Sequence, residues 1–140
     1  MALLPVTIVL TSAVEDEGVS VTRYDGLLRV GNDGEVRLSY QEEDEAGVRT
    51  ATLITLRGEE MTLSRHGGVQ FDTVFRVGVP FTSVYAVGGM RFDALVETES
   101  LRVLRGTALP AADCRYRLTL GGEARLFSLS FRLEAREVAR

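Results

Sequence analysis

The feature that most constrains the fold is a period-two alternation of apolar and polar residues, which recurs along the chain between short clusters of Gly, Asp and Asn. In "EVRLSYQ", Val36, Leu38 and Tyr40 lie on one face of a strand, whereas Glu35 and Arg37 lie on the other. Such alternation predicts strands with one dry and one wet face, joined by hairpins. No segment has a convincing helical period, so we predict an all-β protein.

The same alternation occurs in "VQFDTVFRV", "CRYRLTL" and "LFSLSFRLEA", and clusters such as "GNDG", "HGG" and "LGG" offer glycines for the turns. The spacing predicts roughly eight to ten strands. No helix is available to cover the dry face, so the sheet can bury that face by curling into an up-and-down barrel. Closure of the barrel also removes the exposed sheet edges. We therefore predict one domain over residues 1–140, an antiparallel β-barrel, with a two-sheet sandwich as the alternative.

The dipeptide "DG" at positions 25 and 26 lies inside a strand pattern. The parity of the apolar residues changes across it, which is typical of a β-bulge rather than of a turn. We predict a bulge there.

Composition excludes several classes of protein. The formal net charge is -4 and the 16 basic residues are dispersed along the strands, which disfavours a nucleic-acid partner. The apolar stretch "MALLPVTIVL" contains a proline and runs into a strand pattern, so we predict a first strand rather than a signal peptide or membrane anchor. The lone cysteine, Cys114, excludes an internal disulfide and a cysteine-cluster zinc site. We expect a cytoplasmic protein without a cofactor or metal.

Catalytic chemistry has three candidate residues, His66, Asp72 and Cys114. His66 has the parity of Ser64 and should point to water near a turn, whereas Cys114 has the parity of the apolar residues and should be buried. No nucleophile, base and orienting acid can be assembled from the spacing, so a hydrolase is the least favoured function and we assign no catalytic residue. The run "QEEDEAG" lacks the ligand pattern of a calcium loop and predicts a solvated acidic turn.

Arg65 has the parity of Met61 and Leu63, so its side chain should point toward the core. An inward guanidinium must reach the barrel mouth, pair with an internal acid, or bind an anionic ligand, because an unpaired charge is costly to desolvate. By parity, Tyr40 and Tyr116 would place hydroxyl groups in the same apolar lining.

The segment "VGVPFTSVYAVGG" has a broken alternation. Pro80, Phe81 and Val84 form an apolar stretch within it, and exposed apolar patches commonly mark partner surfaces. This stretch is our candidate surface for a protein partner or for a second copy of the chain.

The ordered fragments "VRLSYQEEDEAG", "RHGGV", "VFRVG", "VYAVGG" and "ALVETESL" resemble the YwiB-like family of small uncharacterised bacterial proteins. The resemblance covers nearly the whole chain. It implies a calycin-like, lipocalin-like β-barrel with no established activity.

The positions that match the family pattern begin after the third predicted strand. They are Tyr40 with Glu42 and Glu43, Arg65 with Gly67, Phe75 with Gly78, and Tyr85. The family commonly has a threonine and then a glycine after this tyrosine. Here Val87 stands in the threonine's place and Gly89 is displaced by about a residue, so no role is carried over to that turn.

Two functions therefore remain ahead of catalysis. The first is a noncatalytic barrel that binds a small apolar or amphipathic, even anionic, molecule, with Arg65, Tyr40, Tyr85 and Tyr116 as candidate ligand-binding residues. The second is a structural module that binds another protein or forms a homodimer. Neither function involves nucleic acid or a membrane.

Overall fold

A computed structural model describes residues 3–105 and 109–136 and contains ten strands. No helix occurs among these described residues. The strands are β1 (Leu3–Val14), β2 (Gly18–Val30), β3 (Val36–Glu43), β4 (Arg49–Arg57), β5 (Glu60–Gly67), β6 (Val69–Phe75), β7 (Phe81–Val87), β8 (Met90–Leu104), β9 (Ala111–Leu120) and β10 (Glu123–Ala135).

Each strand pairs antiparallel with the next one in the chain, and β1 pairs with β10 to close the sheet. The closing ladder runs from Val6 opposite Ala135 to Val14 opposite Phe127. The predicted up-and-down antiparallel barrel is thus confirmed, and the chain does not adopt the sandwich alternative. Closure pairs the strands that would otherwise be the first and last edges of the sheet.

The core lies inside the barrel and is built from alternate residues of the strands. In β4, Thr50, Thr52 and Ile54 are buried, whereas Ala51 and Leu53 between them are exposed. The largest fully buried side chains are Phe75, Phe131, Ile8, Leu28, Leu38, Ile54, Leu56, Met61, Val6, Val96 and Cys114. Large aliphatic and aromatic groups therefore pack the interior, as the period-two pattern predicted.

The predicted bulge at Asp25 and Gly26 is wrong. Gly26 lies in a regular stretch of β2, opposite Val6 on one side and Tyr40 on the other. The parity change arises because Val19 and Val21, in the first half of β2, are exposed rather than buried. A register shift does occur in β8, between Thr98 and Ser100.

The packing around position 26 leaves no space for a side chain, so the fold requires glycine there. A Cβ at this position would lie 2.6 Å from the carbonyl oxygen of Ser39 and 2.7 Å from Cδ1 of Ile8. The missing side chain therefore lets β2 approach β3 while Ile8 fills the space above it.

We predict that Gly26→Ala lowers the free energy of unfolding by about 3 kcal/mol, at the upper end of the range for overpacking, because one close contact is to backbone. Gly58→Ala is the control, since Gly58 has φ of 58° and nothing within 4 Å of a Cβ. Its cost should be about 1 kcal/mol, that of a left-handed alanine. Urea denaturation measures both, and equal costs would contradict the packing argument.

Candidate functional site

Arg65 lies on β5 with its side chain on the inner side of the barrel. It is opposite Thr52 of β4 and Phe71 of β6, both of which are buried. The side chain is 24% exposed, so it is largely covered but still reaches solvent. The inward direction that the sequence predicted for Arg65 agrees with this placement.

Glu42 is the partner of Arg65. Nε of Arg65 donates to Oε2 of Glu42 at 3.0 Å, and Nη2 donates to Oε1 at 3.2 Å. This two-bond arrangement is the strong form of an arginine–carboxylate contact. The sequence indicated that an inward arginine could pair with an internal acid, but it did not identify Glu42.

Glu42 was assigned to a solvated acidic turn, and that prediction is wrong for this residue. It lies inside β3 and its side chain is 20% exposed, whereas Glu43 beside it is exposed. Glu42 has the parity of Tyr40, and extending the alternation by one step would have placed it inside.

Two further side chains approach the Glu42 carboxylate. The hydroxyl of Thr52 donates to Oε2 at 2.6 Å, and the hydroxyl of Tyr24 lies 3.5 Å from Oε1. Arg65, Thr52 and Tyr24 therefore surround one acid from three different strands. Charge pairing and hydrogen bonds together offset the cost of removing this carboxylate from water.

The chain has four tyrosines, and all of them lie near this ion pair or its neighbours on the inner side. Tyr24 stacks on Tyr40 with ring centroids 4.7 Å apart. Tyr116 lies between two phenylalanines, with centroids 4.7 Å from Phe75 and 5.4 Å from Phe127. Aromatic contacts of this kind fix the orientation of the phenol rings.

Tyr85 completes the set through Phe71, the residue opposite Arg65. The two rings lie 5.2 Å apart. We name the group of Tyr24, Tyr40, Tyr85, Tyr116, Glu42, Thr52 and Arg65 the tyrosine–arginine cluster. The structure thus brings together Arg65, Tyr40, Tyr85 and Tyr116, the candidate ligand residues predicted from the sequence.

Burial and the charges of the ion pair act on three of the tyrosines. Burial raises the pKa of Tyr40 and of Tyr116, and the positive charge of Arg65 partly opposes both shifts. Burial and the negative charge of Glu42 raise the pKa of Tyr24. The hydroxyl groups of these three tyrosines are therefore neutral at physiological pH and can both donate and accept hydrogen bonds.

Apolar side chains lie on β1 and β10, the strands that pair with those of Tyr24 and Tyr116. Leu10 of β1 and Phe127 and Leu129 of β10 are partly buried and pack against the core. A small concavity of about 150 Å³ opens here, lined by Leu118, Leu120, Glu123, Arg125 and Phe127. This end of the barrel therefore presents apolar surface next to Tyr116, which stacks on Phe127.

Outside the barrel, His66 forms a hydrogen-bonded group with Ser64, Gln70 and Asp72. Oδ1 of Asp72 lies 2.6 Å from the Ser64 hydroxyl and 2.9 Å from Nε2 of His66, and Nδ1 of His66 lies 2.8 Å from the Gln70 amide. His66 is exposed, as its parity predicted. Because Asp72 separates Ser64 from His66, the histidine does not contact the serine in the manner of a hydrolytic triad.

Asp72 itself is ionised by this arrangement. Burial alone would raise the pKa of its carboxyl, but hydrogen bonds from Ser64 and His66 outweigh burial and lower the pKa. The group is best described as a polar network on the outer surface of β5 and β6.

The apolar stretch after β6 does not form a single face. Pro80 and Val84 are exposed, whereas Phe81 is half-buried and lies opposite Val96, a residue of the core. Val77 and Val79, which sequence analysis did not single out, are exposed in the preceding connection.

Neither a metal centre nor a membrane-spanning helix is found in residues 3–105 and 109–136. No three His, Cys, Asp or Glu side chains there are placed to hold a metal ion. No helix in this part of the chain is long and apolar enough to cross a membrane.

Two comparisons identify proteins that are similar to this chain. A family model described as "Domain of unknown function (DUF1934)" matches residues 7–133. The crystal structure of the ywiB protein from Bacillus subtilis superposes with a TM-score of 0.83 at 22% sequence identity, over 96% of this chain and 94% of that one. No curated protein sequence matches the chain. The predicted resemblance to the YwiB-like family is thereby confirmed.

We predict that Cys114 does not react with thiol reagents while the protein is folded. The side chain is buried, and burial raises the pKa of the thiol from 9.0 to about 12. At pH 8 the reactive thiolate is thus reduced about 1,000-fold relative to an exposed thiol. Ellman's reagent added to native and to urea-unfolded protein measures this, and rapid reaction of the native thiol would contradict it.

Proposed function

The chain belongs to the DUF1934 family, and we propose that it is a noncatalytic barrel that binds a small amphipathic molecule at the tyrosine–arginine cluster. The observation that carries the proposal is that Tyr24, Tyr40 and Tyr116 lie around the partly exposed Arg65–Glu42 ion pair, while Tyr85 adjoins Phe71, the residue opposite Arg65. Small-molecule sites are characteristically apolar with a few placed polar groups, which is the composition found here.

The ion pair is difficult to explain by stability alone. Replacing a buried ion pair with apolar residues of similar volume is often neutral or stabilising, because desolvation offsets the attraction between the charges. A barrel interior that already contains Phe75, Phe131 and Leu38 could have been closed with another apolar residue in place of Arg65. Ligand recognition gives the retained charges a role.

The contacts of Arg65 define the chemistry of the ligand. Glu42 engages Nε and Nη2, which form one edge of the guanidinium, so the edge that carries Nη1 is turned away from this acid. A carboxylate or other oxygen-rich group could bind that second edge, with the hydroxyls of Tyr40 and Tyr116 as further donors. The apolar part of the molecule would pack on Leu10, Phe127 and Leu129.

Two observations support a noncatalytic role. The outer Ser64–Asp72–His66 network lacks the serine–histidine contact that would activate a nucleophile. Burial keeps the Cys114 thiol protonated. By analogy with ligand-carrying barrels, we infer a lipocalin-like carrier or sensor in the cytoplasm rather than an enzyme.

We predict that the amphipathic anion 1-anilinonaphthalene-8-sulfonate binds saturably and that Arg65→Gln weakens its binding about tenfold, the loss typical of one charge-assisted hydrogen bond. Fluorescence titration gives the affinity. Tyr116→Phe, which keeps the ring and the ion pair, should cause a smaller loss. Arg117→Gln on the exposed face of β9 is the matched control and should bind as the unaltered protein does.

Native mass spectrometry of freshly purified protein complements the titration. A discrete added mass that is lost on denaturation, and that Arg65→Gln abolishes, would support the proposal and yield the molecule for identification. Equal dye affinity in Arg65→Gln and Arg117→Gln, with a clean apo mass, would contradict it. An apo mass of twice the monomer would instead favour the interaction module.

A further inference from the structure

A second polar concavity lies at the other end of β3 and is separate from the tyrosine–arginine cluster. Its volume is about 520 Å³, and its lining, which we name the arginine pocket, consists of Arg29, Gly31, Asn32, Asp33, Glu35, Arg37 and Arg57. Arg37 and Glu42 lie on the same strand, about 16 Å apart at a rise of about 3.3 Å per residue. The arginine pocket is therefore not part of the tyrosine–arginine cluster.

Glu35 holds two of the arginines in place. Its Oε1 accepts from Nε of Arg37 at 2.6 Å, and its Oε2 accepts from Nε of Arg57 at 2.7 Å and also from Nη2 of Arg57. The Glu35 side chain is 8% exposed, so the acid lies beneath the two guanidinium groups. Arg57 first and Arg37 second lower the pKa of the Glu35 carboxyl, which is ionised at neutral pH.

The guanidinium groups of Arg37 and Arg57 also present N–H donors on the side that faces away from Glu35. A guanidinium carries five N–H donors in a rigid planar fork. Glu35 occupies the Nε edge of both groups, which leaves the Nη1–Nη2 edges of Arg37 and Arg57 turned away from it. The two side chains are 50% and 67% exposed, so these outer edges are accessible from solvent.

A third guanidinium lies beside the other two in the lining. Arg29 lies directly opposite Arg37 across the β2–β3 ladder, and like charges in that position destabilise a sheet. The acid Asp33 is partly engaged, because its Oδ1 accepts from the Glu35 amide at 3.0 Å. An anion bound between Arg29 and Arg37 would reduce the repulsion between these two side chains.

We propose that the arginine pocket binds the phosphoryl group of a small phosphorylated molecule. Arginine forks match the geometry of phosphate oxygens, and two forks oriented by one buried carboxylate form a pre-organised clamp. The volume is that of a small-ligand site and exceeds the space a lone phosphate ion needs, so the rest of the molecule would lie over Gly31 and Asn32. The phosphoryl group could belong to a soluble metabolite or to a lipid headgroup.

Isothermal titration calorimetry with inorganic pyrophosphate, at fixed ionic strength, tests the proposal on the full chain. We expect saturable binding that Arg37→Gln weakens tenfold or more, since that variant removes one fork. Arg29→Gln should also weaken binding, and it leaves both Glu35 contacts intact. Arg117→Gln changes the net charge equally on β9 and should bind pyrophosphate as the unaltered protein does.

A second arm separates the two sources of the phosphoryl group. Vesicles of phosphatidylcholine with and without phosphatidic acid are sedimented with each variant, and thermal unfolding confirms that each variant is folded. Binding of pyrophosphate, or of phosphatidic-acid vesicles alone, that is lost in Arg37→Gln and Arg29→Gln but kept in Arg117→Gln supports the pocket. Equal losses in all three variants, or no saturable binding to either probe, would overturn it.

Discussion

The antiparallel ladder between β1 and β10 closes the barrel, and without it the sheet would have no enclosed interior. It joins the two ends of the described chain and turns ten consecutive hairpin-linked strands into a closed wall. Only after closure do the inward residues of every strand face one another, so that Phe75 of β6 and Phe131 of β10 share one core. The barrel is therefore stabilised by long-range contacts, while each hairpin supplies only local pairing.

The distribution of charge follows from the same geometry. Apolar side chains fill the interior, and a carboxylate pairs with arginine near each end of β3. Glu42 pairs with Arg65 on the inner face, and Glu35, just before the strand, pairs with the exposed Arg37 and Arg57. Partial contact with solvent at the two ends lowers the cost of desolvating an ion pair. Both candidate binding sites consequently lie at ends of the barrel, where a ligand can reach them.

Much of the fold followed from local pattern, and so did part of the site. Parity placed Arg65, Tyr40 and Tyr116 inside and His66 outside, because successive side chains of a strand point to opposite faces whatever the strand pairs with. The same rule misled at Gly26, where exposed Val19 and Val21 imitated a bulge. At Glu42 the rule was not applied, because the run of acidic residues was interpreted as a turn. The strand in fact continues past Tyr40 and includes Glu42.

The class of fold and the alternation of faces along a strand can be derived from the sequence, since both depend on the period of two within a single strand. Which inward groups meet depends instead on how the strands pack against one another. Arg65 and Glu42 pair across a separation of 23 residues, and Glu35 joins Arg57 across 22. Those contacts depend on the register between strands and on closure of the sheet, which are set by the packing of the whole core rather than by any one segment.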